Sequence, residues 1–132
     1  MTKQELCHKA QDMLKMAYVP YSHFPVGAAL ECVDGTVFTG CNVENAAYGP
    51  SNCAERTAVF KAVSEGYRQF RCIAIAADTE KFCAPCGVCR QVLSEFDPQL
   101  TMEVILVNNR GETMALTLKD LLPYSFGSDN LG

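Results

Sequence analysis

Leu6, Ala10, Met13, Leu14 and Ala17 recur at helical spacing behind Thr2-Lys3-Gln4-Glu5. The Thr and Glu three apart form a capping-box pattern, so an amphipathic helix is predicted over residues 3–17. Pro20 lies just past it, and Tyr18 to Pro25 reads as a loop. Val26 to Cys32 reads as a strand, Asp34-Gly35 as a tight hairpin turn and Thr36 to Gly40 as the returning strand. Cys41 to Asn52 is a polar loop containing Gly49-Pro50. Long loops in small domains are often functional.

A second helix is predicted from Cys53 to Glu65, with Ser51 or Asn52 as its cap and Gly66 past its end. Ala54, Ala58, Val59, Ala62 and Val63 give it a small-residue face suited to lying on a sheet. The unbroken apolar run Cys72 to Ala77 has the signature of a strand buried on both faces. A third helix follows Pro85, from Cys86 to Phe96, and stops at Asp97-Pro98. Val104 to Val107 reads as another buried strand. Asn109-Arg110-Gly111 turns the chain into Thr113 to Leu116, and a short last helix begins at Thr117-Leu118-Lys119-Asp120. The order α-β-β-α-β-α-β-β-α predicts an α/β fold of three layers, a mixed five-stranded sheet with helices on both faces. The connection through the third helix should be a right-handed parallel crossover.

A length of 132 residues predicts a single domain, residues 1–132, large enough to bury a core without disulfide staples. The net charge of −4 and the lack of Lys/Arg clusters make nucleic acid a poor partner, because phosphate contacts dominate that affinity. No apolar run is long enough to span a bilayer. The N-terminal residues lack a signal-peptide core, and Glu5 and Asp12 argue against a transit peptide, so a cytoplasmic protein is expected. In that compartment its eight cysteines should be reduced, which puts metal binding or catalysis ahead of disulfides.

Those cysteines include a split set: Cys53-Ala54-Glu55, then Pro85-Cys86-Gly87-Val88-Cys89. Three soft ligands and a nearby carboxylate suggest a catalytic zinc with its fourth position left for water. Both clusters fall at predicted helix N-termini, where partial positive charge stabilises thiolates. Cys53 and Glu55 can share a cavity only if Cys53 sits in an irregular first turn, because helical residues two apart point to opposite sides. Arg56, three after Cys53, lies on the same face and can offset the charge of three thiolates on Zn²⁺.

Other readings stand beside these. Glu55 could complete a capping box with Asn52, and Arg56 could be a solvated helix residue. Cys7, Cys32, Cys41 and Cys72 read as small buried hydrophobes. Cys83, Cys86 and Cys89, with Cys53, could hold an iron–sulfur cluster. Cys86-Gly87-Val88-Cys89 could be a redox pair, although it comes late in the chain for one. A structural zinc, for its part, needs a fourth protein ligand and no acid/base group.

The composite of Cys-Ala-Glu and Pro-Cys-x-x-Cys matches the zinc deaminase pattern of ligand, acid/base Glu and paired cysteines. Here the chain resembles the cytidine deaminase family, over nearly its whole length. The resemblance is carried by Tyr21-Ser22-x-Phe24-x-Val26-Gly27-Ala28-Ala29, by Gly40-Cys41-Asn42-Val43-Glu44-Asn45-Ala46-Ala47-Tyr48, by Cys53-Ala54-Glu55-Arg56, by Pro85-Cys86-Gly87-Val88-Cys89-Arg90-Gln91, and by Leu121-Leu122-Pro123 with Phe126. The short chain and the all-cysteine site look like the family's homotetrameric branch.

The resemblance implies one Zn²⁺ per subunit on Cys53, Cys86 and Cys89, with Glu55 as the proton shuttle and Arg56 behind the ligands. It implies a nucleoside substrate: the Ala54 N–H donating to the pyrimidine O2, Asn42 and Glu44 on the ribose, and Phe24 against the ring. It places Ala46, Ala47 and Tyr48 across a subunit interface and Phe126 in a neighbour's site; from the residues alone, Phe126 reads as core. It implies hydrolysis of cytidine and 2′-deoxycytidine to the uridines with release of ammonia, in pyrimidine salvage. An antibiotic cytosine nucleoside would use the same metal motif. Cys83 and Ala84 depart from the family, in which a Ser commonly precedes the proline, and Cys83 is not assigned as a ligand.

Overall fold

The computed structural model describes residues 1–131. The first helix, α1, spans Lys3–Asp12 and carries the expected Thr2/Glu5 capping box. It stops earlier than its apolar spacing suggests: Met13–Met16 tighten into a 3₁₀ turn, a common way to end an α-helix. The strands are β1 (Val26–Cys32), β2 (Val37–Cys41), β3 (Phe70–Ala77), β4 (Glu103–Val107) and β5 (Thr113–Thr117). The remaining helices are α2 (Ala54–Ser64), α3 (Gly87–Glu95) and α4 (Leu118–Leu121). Thr117 caps α4 in a second capping box, with Asp120.

The strand order is β2-β1-β3-β4-β5. Only β3 and β4, joined through α3, run parallel; the other pairs are antiparallel. Side chains alternate across a strand, so each central strand feeds two cores. Ala28, Leu30, Ile73, Ile75, Val104 and Leu106 pack with Ala54, Ala58 and Val59 of α2 and Leu93 of α3. Ala29, Cys72, Ala74, Ile105 and Val107 pack with Leu6, Cys7 and Ala10 of α1. The three layers predicted from the element order are therefore present, and the apolar run in β3 is explained by burial on both sides.

Two glycines set how closely the helices approach. A Cβ on Gly27 would run into the Ala10 carbonyl and come within 3.0 Å of the Met13 Cβ. One on Gly40 would meet the Ala54 carbonyl and stand 2.6 Å from the Ala58 nitrogen. The start of α2 thus rests directly on the β2 backbone.

Register explains why the functional loops converge. Val26 at the start of β1 pairs with Ala77 at the end of β3, and Gly27 pairs with Cys41 at the end of β2. The loops 17–25, 42–53 and 78–86 therefore leave one end of the sheet together. Two isolated bridges, Tyr18 to Val43 and Val43 to Asn52, tie the first two loops into a small ladder.

Candidate active site

The N-termini of α2 and α3 meet at that end. Cys53 is the N-cap of α2, with extended backbone angles (φ −80°, ψ 158°), and Cys86 is the N-cap of α3 (φ −66°, ψ 167°). This corrects the expected cap. Neither Ser51 nor Asn52 caps α2, and no capping box forms between Asn52 and Glu55. Asn52 instead donates from Nδ2 to Thr57 Oγ1 at 3.1 Å. With Cys53 outside the helical spiral, its sulfur and the Glu55 carboxyl reach one cavity although they are two residues apart.

The sulfurs of Cys53, Cys86 and Cys89 all lie within 4.8 Å of one another. The Cys53–Cys86 separation is 3.8 Å. A tetrahedral site with zinc–sulfur bonds of about 2.3 Å has ligand edges of about 3.8 Å, so the spacing fits zinc. The neighbouring Cys89 thiol, with help from Arg56 and Cys86, holds the Cys53 thiol down to about 5. Arg56 Nη2 donates to Cys53 Sγ at 3.3 Å, while its buried Nε has no acceptor. Among the described residues no carboxylate forms an ion pair with it, so the guanidinium is held by sulfur.

Glu55 is 4% exposed. Burial, with the Cys53 charge adding to it, pushes its carboxyl up to about 7. A group poised there can both take and give a proton at neutral pH. Glu55 faces an open cleft of about 430 Å³ that Phe24, Asn42, Glu44, Cys53, Ala54 and Cys86 also line. Asn42 is fixed by backbone groups: Oδ1 accepts from Val26 N at 2.9 Å, and Nδ2 donates to the Phe24 carbonyl at 2.9 Å. Glu44 Oε1 accepts from the Tyr21 and Ser22 amides, each at 3.1 Å.

Residues 1–108 match the family model for the cytidine and deoxycytidylate deaminase zinc-binding region. The chain belongs to this deaminase family. A cytidine deaminase of Sporosarcina psychrophila is 50% identical over 131 residues, 99% of this chain and 96% of that protein. One of Halalkalibacterium halodurans is 49% identical over 131 residues, 99% of this chain and 98% of that protein. The crystal structure of cytidine deaminase from Burkholderia pseudomallei superposes with a TM-score of 0.91 at 50% identity, covering 96% of this chain and all of that one (100%). The family is a zinc-binding one, and the three-cysteine cluster of this deaminase is a donor set of the right softness and spacing for that metal.

Ala46, Ala47, Tyr48 and Phe126 lie outside the cleft of one deaminase chain. Ala46 and Ala47 are exposed in the loop, and Tyr48 is 81% exposed. Phe126 is 57% exposed, not in the core, and Gln91 Nε2 donates to its carbonyl at 2.9 Å. Cys7, Cys32 and Cys72 are buried, but Cys41 is half-exposed and donates from Sγ to the Met16 carbonyl at 3.4 Å. Cys83 lines the cleft but lies outside the cluster, and burial pushes its thiol up.

Three contributors had no role from the sequence alone. Arg90 holds the Pro-Cys loop, with Nε donating to the Pro85 carbonyl at 2.8 Å and Nη1 to the Leu121 carbonyl at 2.7 Å. Ile75 lines the cleft from the end of β3. Ser22 contacts Glu44. Ser22 and Arg90 both stand inside motifs whose neighbours carried the chemistry, which was the only signal available.

Proposed function

We propose that this chain is a zinc-dependent cytidine deaminase that hydrolyses cytidine and 2′-deoxycytidine to the corresponding uridines with release of ammonia. The observation that carries the reading is the buried Glu55 carboxyl beside three clustered thiols, in a cleft that also presents Asn42 and Glu44.

Cys53, Cys86 and Cys89 would hold one zinc per subunit. When bound, zinc polarises a water and lowers its pKa toward ~7, making a nucleophile available at neutral pH. Glu55 takes the proton of the attacking water and passes it to N3 of the cytosine. It then takes the second proton, from the hydroxyl added at C4, and gives it to the amine, so that the C4 carbonyl forms as ammonia leaves. A carboxyl near neutrality suits a group that must act as base and then as acid. Arg56 balances thiolate charge from behind.

The Ala54 N–H, at the start of α2, donates to the pyrimidine O2. Phe24 packs against the ring. Asn42 has one Nδ2 hydrogen left for a sugar hydroxyl, and the Glu44 carboxylate accepts from another. A carboxylate at that place repels a phosphate, which favours free nucleosides over nucleotides. The chain's acidic balance agrees, with a net charge of −4.

We read the working form as a homotetramer, with Ala46, Ala47 and Tyr48 presented across an interface and Phe126 completing a neighbour's site. The exposed aromatic rings of Tyr48 and Phe126 support that reading. A cytoplasmic enzyme of pyrimidine salvage fits the small nucleoside substrate; no helix among the described residues is long and apolar enough to cross a membrane. Metal analysis coupled to the loss of absorbance on cytidine-to-uridine conversion tests the function. Absence of turnover in zinc-loaded protein overturns it.

A further inference from the structure

Ser22 touches two of the proposed substrate contacts. Its hydroxyl donates to Glu44 Oε2 and accepts from the Phe24 N–H at 3.1 Å. A hydroxyl can do both at once, and an ionised carboxylate only accepts, so the proton direction is fixed. His23 between them takes the left-handed region (φ 58°), which non-glycine residues adopt infrequently, and the turn brings the Phe24 amide back over Ser22. Local strain of this kind persists where surrounding contacts over-determine it.

The lone pairs of Glu44 can be counted. A carboxylate offers about four acceptor sites. The Tyr21 and Ser22 amides take those of Oε1, and the Ser22 hydroxyl takes one of Oε2. One site remains, on Oε2. These donors hold the Glu44 carboxyl below the usual carboxylate range, the Ser22 hydroxyl first among them, so it is ionised at neutral pH. Ser22 and Glu44 also border an open hollow of about 330 Å³ shared with Tyr21, Asn45 and Tyr48.

We infer that Ser22 is a positioning residue for sugar recognition: its hydroxyl keeps the free lone pair of Glu44 aimed into the cleft. This rests on Glu44 reading a sugar hydroxyl, as proposed above. Ser22 itself contacts no reacting atom, so its effect should fall on sugar discrimination.

The test is steady-state kinetics of the zinc-loaded enzyme on cytidine and on 2′,3′-dideoxycytidine, with melting temperature and zinc content followed in parallel. Ser22→Ala is expected to lower the ratio of kcat/KM for cytidine over dideoxycytidine about tenfold, mainly through KM, as for loss of one charge-assisted hydrogen bond. Ser22→Thr, which restores a hydroxyl, should recover the ratio. Glu44→Ala separates the two ideas. If Glu44→Ala lowers the ratio and Ser22→Ala does not, the positioning role is overturned while the ribose reading stands. If Glu44→Ala leaves the ratio unchanged, the ribose reading fails and the inference with it. Equal loss on both substrates in Ser22→Ala, or loss that Ser22→Thr does not recover, makes Ser22 merely structural and also overturns the proposal.

Discussion

Arg56 Nη2 lies 3.3 Å from the sulfur of Cys53, its neighbour three residues back across the first turn of α2. The contact places a permanent cation against a proposed zinc ligand, and the cation has no carboxylate partner among the described residues. Three thiolates on Zn²⁺ leave a net charge of −1, which weakens the metal as a Lewis acid, and the guanidinium offsets it. Arg56→Ala is therefore expected to lower kcat by about tenfold or more while the melting temperature changes little; a charge-assisted hydrogen bond of about 1.5–3 kcal/mol supports that size. Unchanged kinetics would remove the charge-balancing role.

Glu55 gives a prediction with a defined sign in pH. Its carboxyl is raised from 4.5 to about 7 by burial, so the folded state holds a proton that the unfolded state has released across that window. Stability falls as pH rises wherever the native state binds more protons, and here the cost amounts to about 3 kcal/mol above pH 7. Glu55→Gln should be more stable than the parent at pH 8, with the advantage shrinking to nothing below about pH 4.5. Melting curves at the two pH values check this, and an advantage independent of pH would refute the raised carboxyl. The same variant should keep its zinc and lose cytidine turnover by several orders of magnitude. Retained turnover would sink the proposed mechanism.

Much of this arrangement was legible in the chain. Strand β1 lies where Val26 to Cys32 was read, because a strand buried on both faces leaves a nearly unbroken apolar run. The requirement that Cys53 stand in an irregular turn followed from helix geometry and is met. Which residue caps α2 was not legible, because Ser51 and Asn52 are both good capping types, while the structure starts the helix after Cys53 with no side-chain cap. The early end of α1 was hidden because a 3₁₀ turn keeps Met13 and Leu14 at apolar spacing. Ser22 was invisible as a contributor: its bond to Glu44 spans 22 residues and depends on the Tyr18–Val43 bridge.

Cys83 separates the zinc reading from an iron–sulfur one. It lines the cleft three residues before Cys86 yet stands outside the sulfur cluster. Cys83→Ala should retain one equivalent of zinc per chain by metal analysis, whereas Cys86→Ser should lose most of it. Loss of metal in Cys83→Ala would make it a ligand and undo the three-cysteine assignment.

The exposed rings of Tyr48, Phe60 and Phe126 predict association. Light scattering should give about four times the chain mass of 14.4 kDa. If Phe126 completes a neighbour's site, Glu55→Ala and Phe126→Ala subunits should complement each other. A mixed assembly contains sites with Glu55 from one subunit and Phe126 from the other. Co-expressed variants that stay as inactive as the Glu55→Ala enzyme, in a tetramer shown to be mixed, would place Phe126 outside the shared site.

Gly40 carries the last prediction, because its backbone sets where the cysteine cluster stands. A Cβ there would meet the Ala54 carbonyl and come within 2.6 Å of the Ala58 nitrogen, both backbone atoms of α2. Backbone cannot step aside as a flexible side chain can, so the helix must move. Gly40→Ala should cost about 2–4 kcal/mol, at or beyond the upper end for overpacking. The displaced α2 N-terminus carries Cys53 with it, so zinc retention should fall along with the melting temperature. Gly87 supplies the contrast: a Cβ there meets nothing within 4 Å, and the residue lies in the first turn of α3. Gly87→Ala should leave stability unchanged or raise it by about 0.5–1 kcal/mol, since alanine loses less backbone freedom on folding. Equal melting temperatures for the two variants would mean that α2 does not rest on Gly40 as the structure describes.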